Sequence, residues 1–179
     1  TLIGSTQAGT GGTWNFTTQT LTDGAHTLTA TATDAAGNVS AAGNAVTVTV
    51  DTSVPTTPDF VVTNNDVLPT EPVANNGYTN DNTPVLSGTA TANSLVTIYD
   101  GSTAIGSVTT NAQGVWSFTT ATLDDGAHPL TITVTDSAGN VSPASSVVTV
   151  NIDAAAPDVA QGVTVNNNEG STLVPIAAD

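Results

Sequence analysis

The chain has 179 residues, room for one domain or two small ones, with 15 acidic residues, no Lys, no Arg and a formal net charge of −15. Without Lys or Arg it has no such ion pairs, no means of neutralising nucleic-acid phosphates and no polybasic attachment to anionic lipid. The absence of Cys removes disulfides, thiolate metal sites and thiol nucleophiles, and no apolar run approaches the roughly 18 residues of a membrane span.

Charged residues make up only 8% of the chain, so Thr, Ser, Asn and Gly must form most of its surface. The carboxylates repel one another unless protons or metal ions neutralise them. No leader segment is visible, and the lack of Met makes Thr1 read as an internal position of a longer protein. An internal repeat supports that expectation. Residues 14–51 align with residues 116–153 at an offset of 102, without a gap and with 25 of 38 positions identical. A period near 102 is domain-sized. It divides the chain into the C-terminal half of one repeat (1–51), a complete repeat (52–153), and the linker and first strand of a third (154–179).

In chain order, the stretch from Val54 to Asn82 is rich in Pro and Asn and reads as a linker, one strand and a long loop. Leu86, Gly88 and Ala90 then alternate with Ser87 and Thr89, and Val96 and Ile98 flank Thr97. Trp116 and Phe118 alternate with Ser117 and Thr119. The clearest strand is Leu130 to Thr135, with Leu130, Ile132 and Val134 on one face and three Thr on the other. Val148, Val150 and Ile152 repeat the pattern. Asp100-Gly101, Asn111 to Gly114, Asp124 to Gly126 and Asp136 to Asn140 supply the turns between these runs. No segment has helical periodicity. About seven strands per unit predict an all-β fold, an immunoglobulin-like antiparallel β-sandwich repeated in tandem.

The motif TLxDGxHxLTxTxTDxAGNVS occurs twice, each time followed by a Val-rich strand ending in Asp and a Pro-containing linker. Together with TNDNTPVLSGTA at Thr79 to Ala90, it resembles the bacterial Ig-like repeats of giant type I-secreted, biofilm-associated surface adhesins. The resemblance implies export and an extracellular place at the bacterial cell surface, outer-membrane-associated or secreted. It also implies a stalk of tandem repeats with calcium at the junctions, supporting adhesion and biofilm formation. The implied partners are neighbouring repeats of the same chain and a host or abiotic surface reached through other parts of the protein. Neither nucleic acid nor direct membrane insertion is expected.

Calcium takes 6–8 oxygen ligands, which this chain offers in abundance. Alternate loops of an antiparallel sandwich lie at opposite ends. Asp51 ends one unit, and the Asp136–Asn140 loop should lie at the end of the next unit that faces it. Asp51, Asp136 and Asn140 are therefore expected to meet, with help from linker carbonyls and Asp59. By repetition, Asp34 and Asn38 would serve the preceding junction and Asp153 the following one. Asp23, Asp81, Asp100, Asp124 and Asp125 fall on loops at the exit end of their units and rank lower. For Asp100, Asp124 and Asp125 the competing explanation is stronger, because Asp before Gly makes turns without any metal. His26 and His128 occupy equivalent positions and read as packed or capped residues at a strand start, since a lone His is a poor metal site. The parity of Trp14 and Trp116 with Phe16 and Phe118 places all four in the core, leaving Tyr99 as the outward-facing aromatic.

Catalytic patterns do not occur: no GxSxG, HExxH, P-loop or GxGxxG is found, and the adjacent Asp124-Asp125 implies no cleft. A stalk segment without enzymatic activity is the leading expectation. A carbohydrate- or protein-binding Ig-like module, or a spacer domain of a secreted polysaccharide-active enzyme, stands as the alternative.

Overall fold

The computed structural model describes residues 1–66 and 70–159. The strand expected within 154–179 falls mainly on residues outside that range. Eleven strands form among the described residues: β1 (Gly24–Leu28), β2 (Val46–Val50), β3 (Asp59–Asn64), β4 (Glu71–Val73), β5 (Gly77–Thr79), β6 (Val85–Thr89), β7 (Leu95–Asp100), β8 (Thr103–Thr109), β9 (Val115–Thr119), β10 (Gly126–Thr135) and β11 (Val148–Ile152). No helix occurs among the described residues.

Strands β3 to β11 build a β-sandwich. One sheet has the order β5-β11-β10-β7-β8 and the other β4-β3-β6-β9. All pairings are antiparallel except β5 with β11, which is parallel. Period-2 patterning places the core between the sheets. Leu130, Ile132 and Val134 of β10 meet Val96 and Ile98 of β7 and Val150 and Ile152 of β11 from one side. Val62, Leu86 and Trp116 close on them from the other. Each of these aliphatic side chains stabilises the fold by about 1.5–3 kcal/mol through loss of apolar surface from water. The Thr residues of β10 are half-buried on the opposite face.

Two glycines allow close approach, Gly106 between the two sheets and Gly114 between the neighbouring strands β6 and β9. A Cβ at Gly106 would lie 2.2 Å from Cζ of Phe118, so the ring fills the space that a side chain would take. Gly114 adopts φ +77°, and a Cβ there would lie 2.2 Å from the Ala90 carbonyl oxygen. Both features need Gly for a physical reason, one for room and one for room and backbone conformation together.

The segment from Val54 to Asn82 departs from expectation. In place of one strand and a long loop, it holds β3 and two three-residue strands, β4 and β5. These are too short to show periodicity; β4 pairs with nearby β3, and β5 is held by distant β11. The Asn75 side-chain carbonyl accepts the Thr149 N–H at 2.8 Å, and the Asn76 N–H donates to the Thr149 carbonyl at 2.7 Å. Asn76 takes φ 63°, which turns the chain back into β5. Strand β8 was also not anticipated, because its pairing with β7 is broken by an irregularity between Ile98 and Tyr99 and its apolar residues fall out of phase.

In residues 1–51 only β1 and β2 form, as an antiparallel pair. Their register, Gly24 opposite Val50 through Leu28 opposite Val46, is that of β10 with β11, Gly126 opposite Ile152 through Leu130 opposite Val148. The equivalence of the two copies thus extends from sequence to strand register.

Candidate functional site at the repeat junction

The Asp136–Asn140 loop closes on itself. Asp136 Oδ1 accepts the N–H groups of Ala138 and Asn140, both at 2.9 Å, while Oδ2 accepts Asn140 Nδ2 at 2.9 Å. The Asp136 N–H donates to the Asn140 carbonyl at 3.0 Å, and Gly139 supplies the positive φ of 93° that the turn requires. The hydrogen bond from the Asn140 side chain is the largest cause holding the Asp136 carboxyl below its ordinary range, with the loop N–H groups adding to it. The Asp34–Asn38 loop repeats the arrangement: Asp34 accepts the N–H groups of Ala36 and Asn38 at 2.9 and 2.8 Å and Asn38 Nδ2 at 2.8 Å. Its carboxyl is lowered too, again first by the Asn side chain.

These bonds give the Asp a role within its own turn, which a reading from strand ends underrates. What the second loop adds is its neighbour. Asn140 Nδ2 also donates to the backbone carbonyl of Asp51 at 3.0 Å. One side-chain amide therefore joins the loop of the complete repeat to the last residue of the preceding one. Two oxygens, Asp51 O and Asp136 Oδ2, converge on that single partial positive charge. Carboxylate and carbonyl oxygens are the donors that a hard divalent cation selects. Asp51 Oδ1 accepts the Ser53 N–H at 3.0 Å in a local turn. Asp59 is exposed at the start of β3, opposite Thr89. No three His, Cys, Asp or Glu side chains converge as a metal-holding group among the described residues. A cation at this junction would therefore be held by Asp51, Asp136 and Asn140 with backbone carbonyls and water, not by a carboxylate cage.

The acidic residues at the trailing end of each unit, Asp23 in the first and the others in the complete repeat, have other work. Asp81 is fully buried, and its carboxylate accepts the Asn65 N–H at 2.8 Å and the Thr83 N–H at 2.9 Å, tying the end of β3 to the β5–β6 loop. A buried carboxylate is tolerated only when hydrogen-bonded in this way. Asp125 Oδ1 accepts the Ala154 N–H at 2.9 Å, and Asp23 Oδ1 accepts the N–H and hydroxyl of Thr52 at 3.0 and 2.8 Å. Both carboxylates fix the chain where it leaves its last strand. The Asp23 carboxyl is lowered first by the Thr52 hydroxyl. Sequence reading treated Asp23 and Asp125 as turn formers or second-rank ligands and did not anticipate this anchoring. The signal was present in their equal spacing from the ends of β2 and β11. Asp100 is taken up by His128, whose Nδ1 lies 2.7 Å from Asp100 Oδ2, and His128 Nε2 lies 2.8 Å from the Asp124 carbonyl. The Asp100 carboxylate is therefore engaged by His128, whereas Asp124 contributes its backbone carbonyl. The Asp153 N–H donates to the Thr79 carbonyl at 2.9 Å, so Asp153 stands beside β5 at the end where the next unit would begin.

The aromatics divide unevenly. Trp116 is buried, whereas Trp14 is 58% exposed, contrary to its expected place in a core. Trp116 lies opposite Gly88 of β6, and residues 1–51 contain no counterpart of that strand. Tyr99 is half-buried, and Tyr78 is the strongly exposed tyrosine, above a shallow depression lined by Asn64, Thr79, Asn80 and Asp153.

A family model described as a bacterial Ig-like domain matches residues 1–52 and 57–154. No curated protein matches the chain. Among solved structures it is similar to a biofilm associated protein, BSP domain, at 24% identity and a TM-score of 0.36, over 74% of this chain and 26% of that one. The chain thus spans about a quarter of that structure. With the family match covering most of its length in two consecutive segments, the chain belongs to the bacterial Ig-like domain family.

Proposed function

We propose that this chain is a segment of a non-enzymatic stalk in a bacterial surface adhesin, exposed outside the cell, in which tandem Ig-like units are held in line by Ca2+ at their junctions. The units follow the 102-residue period, with one ending at Asp51, the next running from 52 to 153, and another starting at 154. The observation that carries the reading is the bond from Asn140 to the Asp51 carbonyl, which brings two units together through groups that also suit a hard cation. The absence of any side-chain ammonium or guanidinium supports it, because a −15 chain gains more than an ordinary one from divalent counter-ions. Asp51, Asp136 and Asn140 hold the ion at this junction. Asp34 with Asn38, and Asp153, serve the junctions on either side.

Melting in calcium and in excess EGTA tests the reading. A cation that binds only the folded state at 100 times its dissociation constant stabilises it by about 2.7 kcal/mol. That raises the melting temperature by several degrees, and the gain should vanish when Asp51 and Asp136 are both changed to Ala. Small-angle scattering should show a longer, stiffer particle in calcium. Identical melting and scattering in the two buffers would sink the calcium part and leave an acidic spacer. The alternative, a carbohydrate-binding module, rests on exposed Tyr78 beside Asn64, Asn80 and Asp153, and glycan-array binding lost in Tyr78→Ala would favour it.

A further inference from the structure

His26 and His128 are the only side chains in this protein able to carry positive charge near neutrality. His128 is set between two acceptors. Its Nδ1 is 2.7 Å from the Asp100 carboxylate at the end of β7, and its Nε2 is 2.8 Å from the carbonyl of Asp124 in the turn before β10. A neutral imidazole has one N–H and can satisfy one acceptor; the imidazolium satisfies both. Both contacts lie at the trailing end of the sandwich. The residue after Asp124 is Asp125, whose carboxylate accepts the N–H of Ala154, where the chain leaves β11.

We propose that His128 is a proton-operated clamp on the trailing end of the repeat. As imidazolium it joins the Asp100-Gly101 turn to the Asp124-Asp125 turn and steadies the anchor of the departing linker; as a neutral ring it releases one of the two. The contact given up is the Asp124 carbonyl, because the remaining proton stays on Nδ1 in the stronger, charge-assisted bond to Asp100. The lone pair of Nε2 then faces the carbonyl oxygen, and the Asp124-Asp125 turn loosens.

The groups around the ring are consistent with this. Asp100 faces it from β7, and Asp124 and Asp125 belong to the turn before its own strand. The residue opposite on β11 is Val150, and the nearest titratable group of that strand is Asp153 beyond its end. Strand β8 carries no titratable side chain. Partial burial works against the charged ring, but the bonds from Asp100 and Asp124, with the negative charges of both residues, outweigh it and raise the His128 pKa above its ordinary value. The sign follows. The clamp stabilises the fold fully below the unfolded-state pKa of about 6.5, and its contribution is lost as pH rises through the higher folded-state value. An acidic setting tightens the linker anchor, and a mildly alkaline one loosens it.

The test is an NMR titration of the full chain in EGTA, so that no divalent cation competes. The imidazole nitrogens of His128 should both carry protons below the ordinary His value, and its midpoint should lie above that value. The Ala154 amide should shift with the same midpoint and lose exchange protection above it. In Asp100→Asn the midpoint should fall and the Ala154 response should move with it. A His128 ring that is neutral below the ordinary His value, or an Ala154 amide unmoved through the titration, would overturn the proposal. The wild-type titration decides it without any variant.

Discussion

Residues 14–51 and 116–153 share 25 of 38 positions, yet they lie in different surroundings. Trp14 is 58% exposed and Trp116 is 3%. Val48 is 42% exposed, and its counterpart Val150 is fully buried. His26 Nε2 bonds the Thr22 carbonyl at 2.7 Å as His128 does that of Asp124, but His26 has no partner like Asp100, because the chain contains no counterpart of β7 before it. Some features survive the loss of context unchanged. The β1–β2 register, the Asp34–Asn38 loop and the anchoring of Thr52 by Asp23 all match their copies. The comparison separates what a short stretch of this chain encodes locally from what the two-sheet sandwich imposes. Hydrogen-bonded turns and hairpin register belong to the first group. Burial, ion pairing and the worth of an aromatic belong to the second.

Paired substitutions sharpen this division. The largest difference is expected at the tryptophans. Trp116→Ala should destabilise the complete repeat by about 3–5 kcal/mol through the cavity it leaves. Trp14→Ala should stay within about 0.5 kcal/mol, as for an ordinary surface change. Urea unfolding followed by far-UV circular dichroism reads both, and equal effects would mean that the two rings share an environment.

Next come the glycines of one turn. Gly12 and Gly114 both have φ +77°, but a Cβ at Gly12 meets nothing within 4 Å. Gly12→Ala should cost about 1–2 kcal/mol from the left-handed backbone alone. Gly114→Ala should add about 1–3 kcal/mol for the clash with the Ala90 carbonyl. Thermal melts of the two variants give the comparison directly, and a smaller loss in Gly114→Ala would contradict it.

A smaller effect is expected beside β10. Ser145 Oγ accepts the N–H of fully buried Ile132 at 3.0 Å, and Ser142 Oγ accepts that of Val134 at 2.9 Å. The counterpart of Ser145 is Gly43, which has no hydroxyl, and the counterpart of Ile132 is exposed Ala30. Ser145→Ala should cost about 1–3 kcal/mol by stranding a buried donor. Gly43→Ser should change the melt little, since Ala30 is exposed and its N–H is not a buried donor. Faster amide exchange at Ile132 in Ser145→Ala identifies the bond responsible.

The smallest effect is the one expected to be alike in both copies. The Asp34 and Asp136 carboxyls are held low within their own loops. Their contribution is therefore present above the ordinary Asp pKa and lost as pH falls through the lowered folded-state value. A carboxyl carbon titration should show both shifted downward. Asn38→Ala and Asn140→Ala should each let the partner carboxyl rise. A downward shift at Asp136 alone would show that the loop needs the sandwich after all.

Much of the fold was legible because its signals are local and repeated. The alternation in Leu130 to Thr135 shows a half-buried strand before any partner is known. Asp-x-x-Gly-Asn marks a closed turn wherever it stands. Strands β4, β5 and β8 were not legible. The first is a three-residue antiparallel partner of β3, the second is held by a parallel partner more than seventy residues away, and the third runs past an irregularity that scrambles its parity. At the junction, loop order placed Asp136 and Asn140 near Asp51, but not the atom that reaches across, the Asn140 amide nitrogen, nor the turn bonds that occupy Asp136.

By itself the sequence determined the class of fold, the 102-residue period, the negative charge and the self-closing turns, because each depends on residue types a few positions apart or on composition. Only the tertiary structure decided that Asp81 is buried, that Asp125 holds Ala154, that His128 sits between two acceptors and that two copies of one motif differ in exposure. Burial and ion pairing are set by what arrives from elsewhere in the chain, and spacing along one strand carries no record of that.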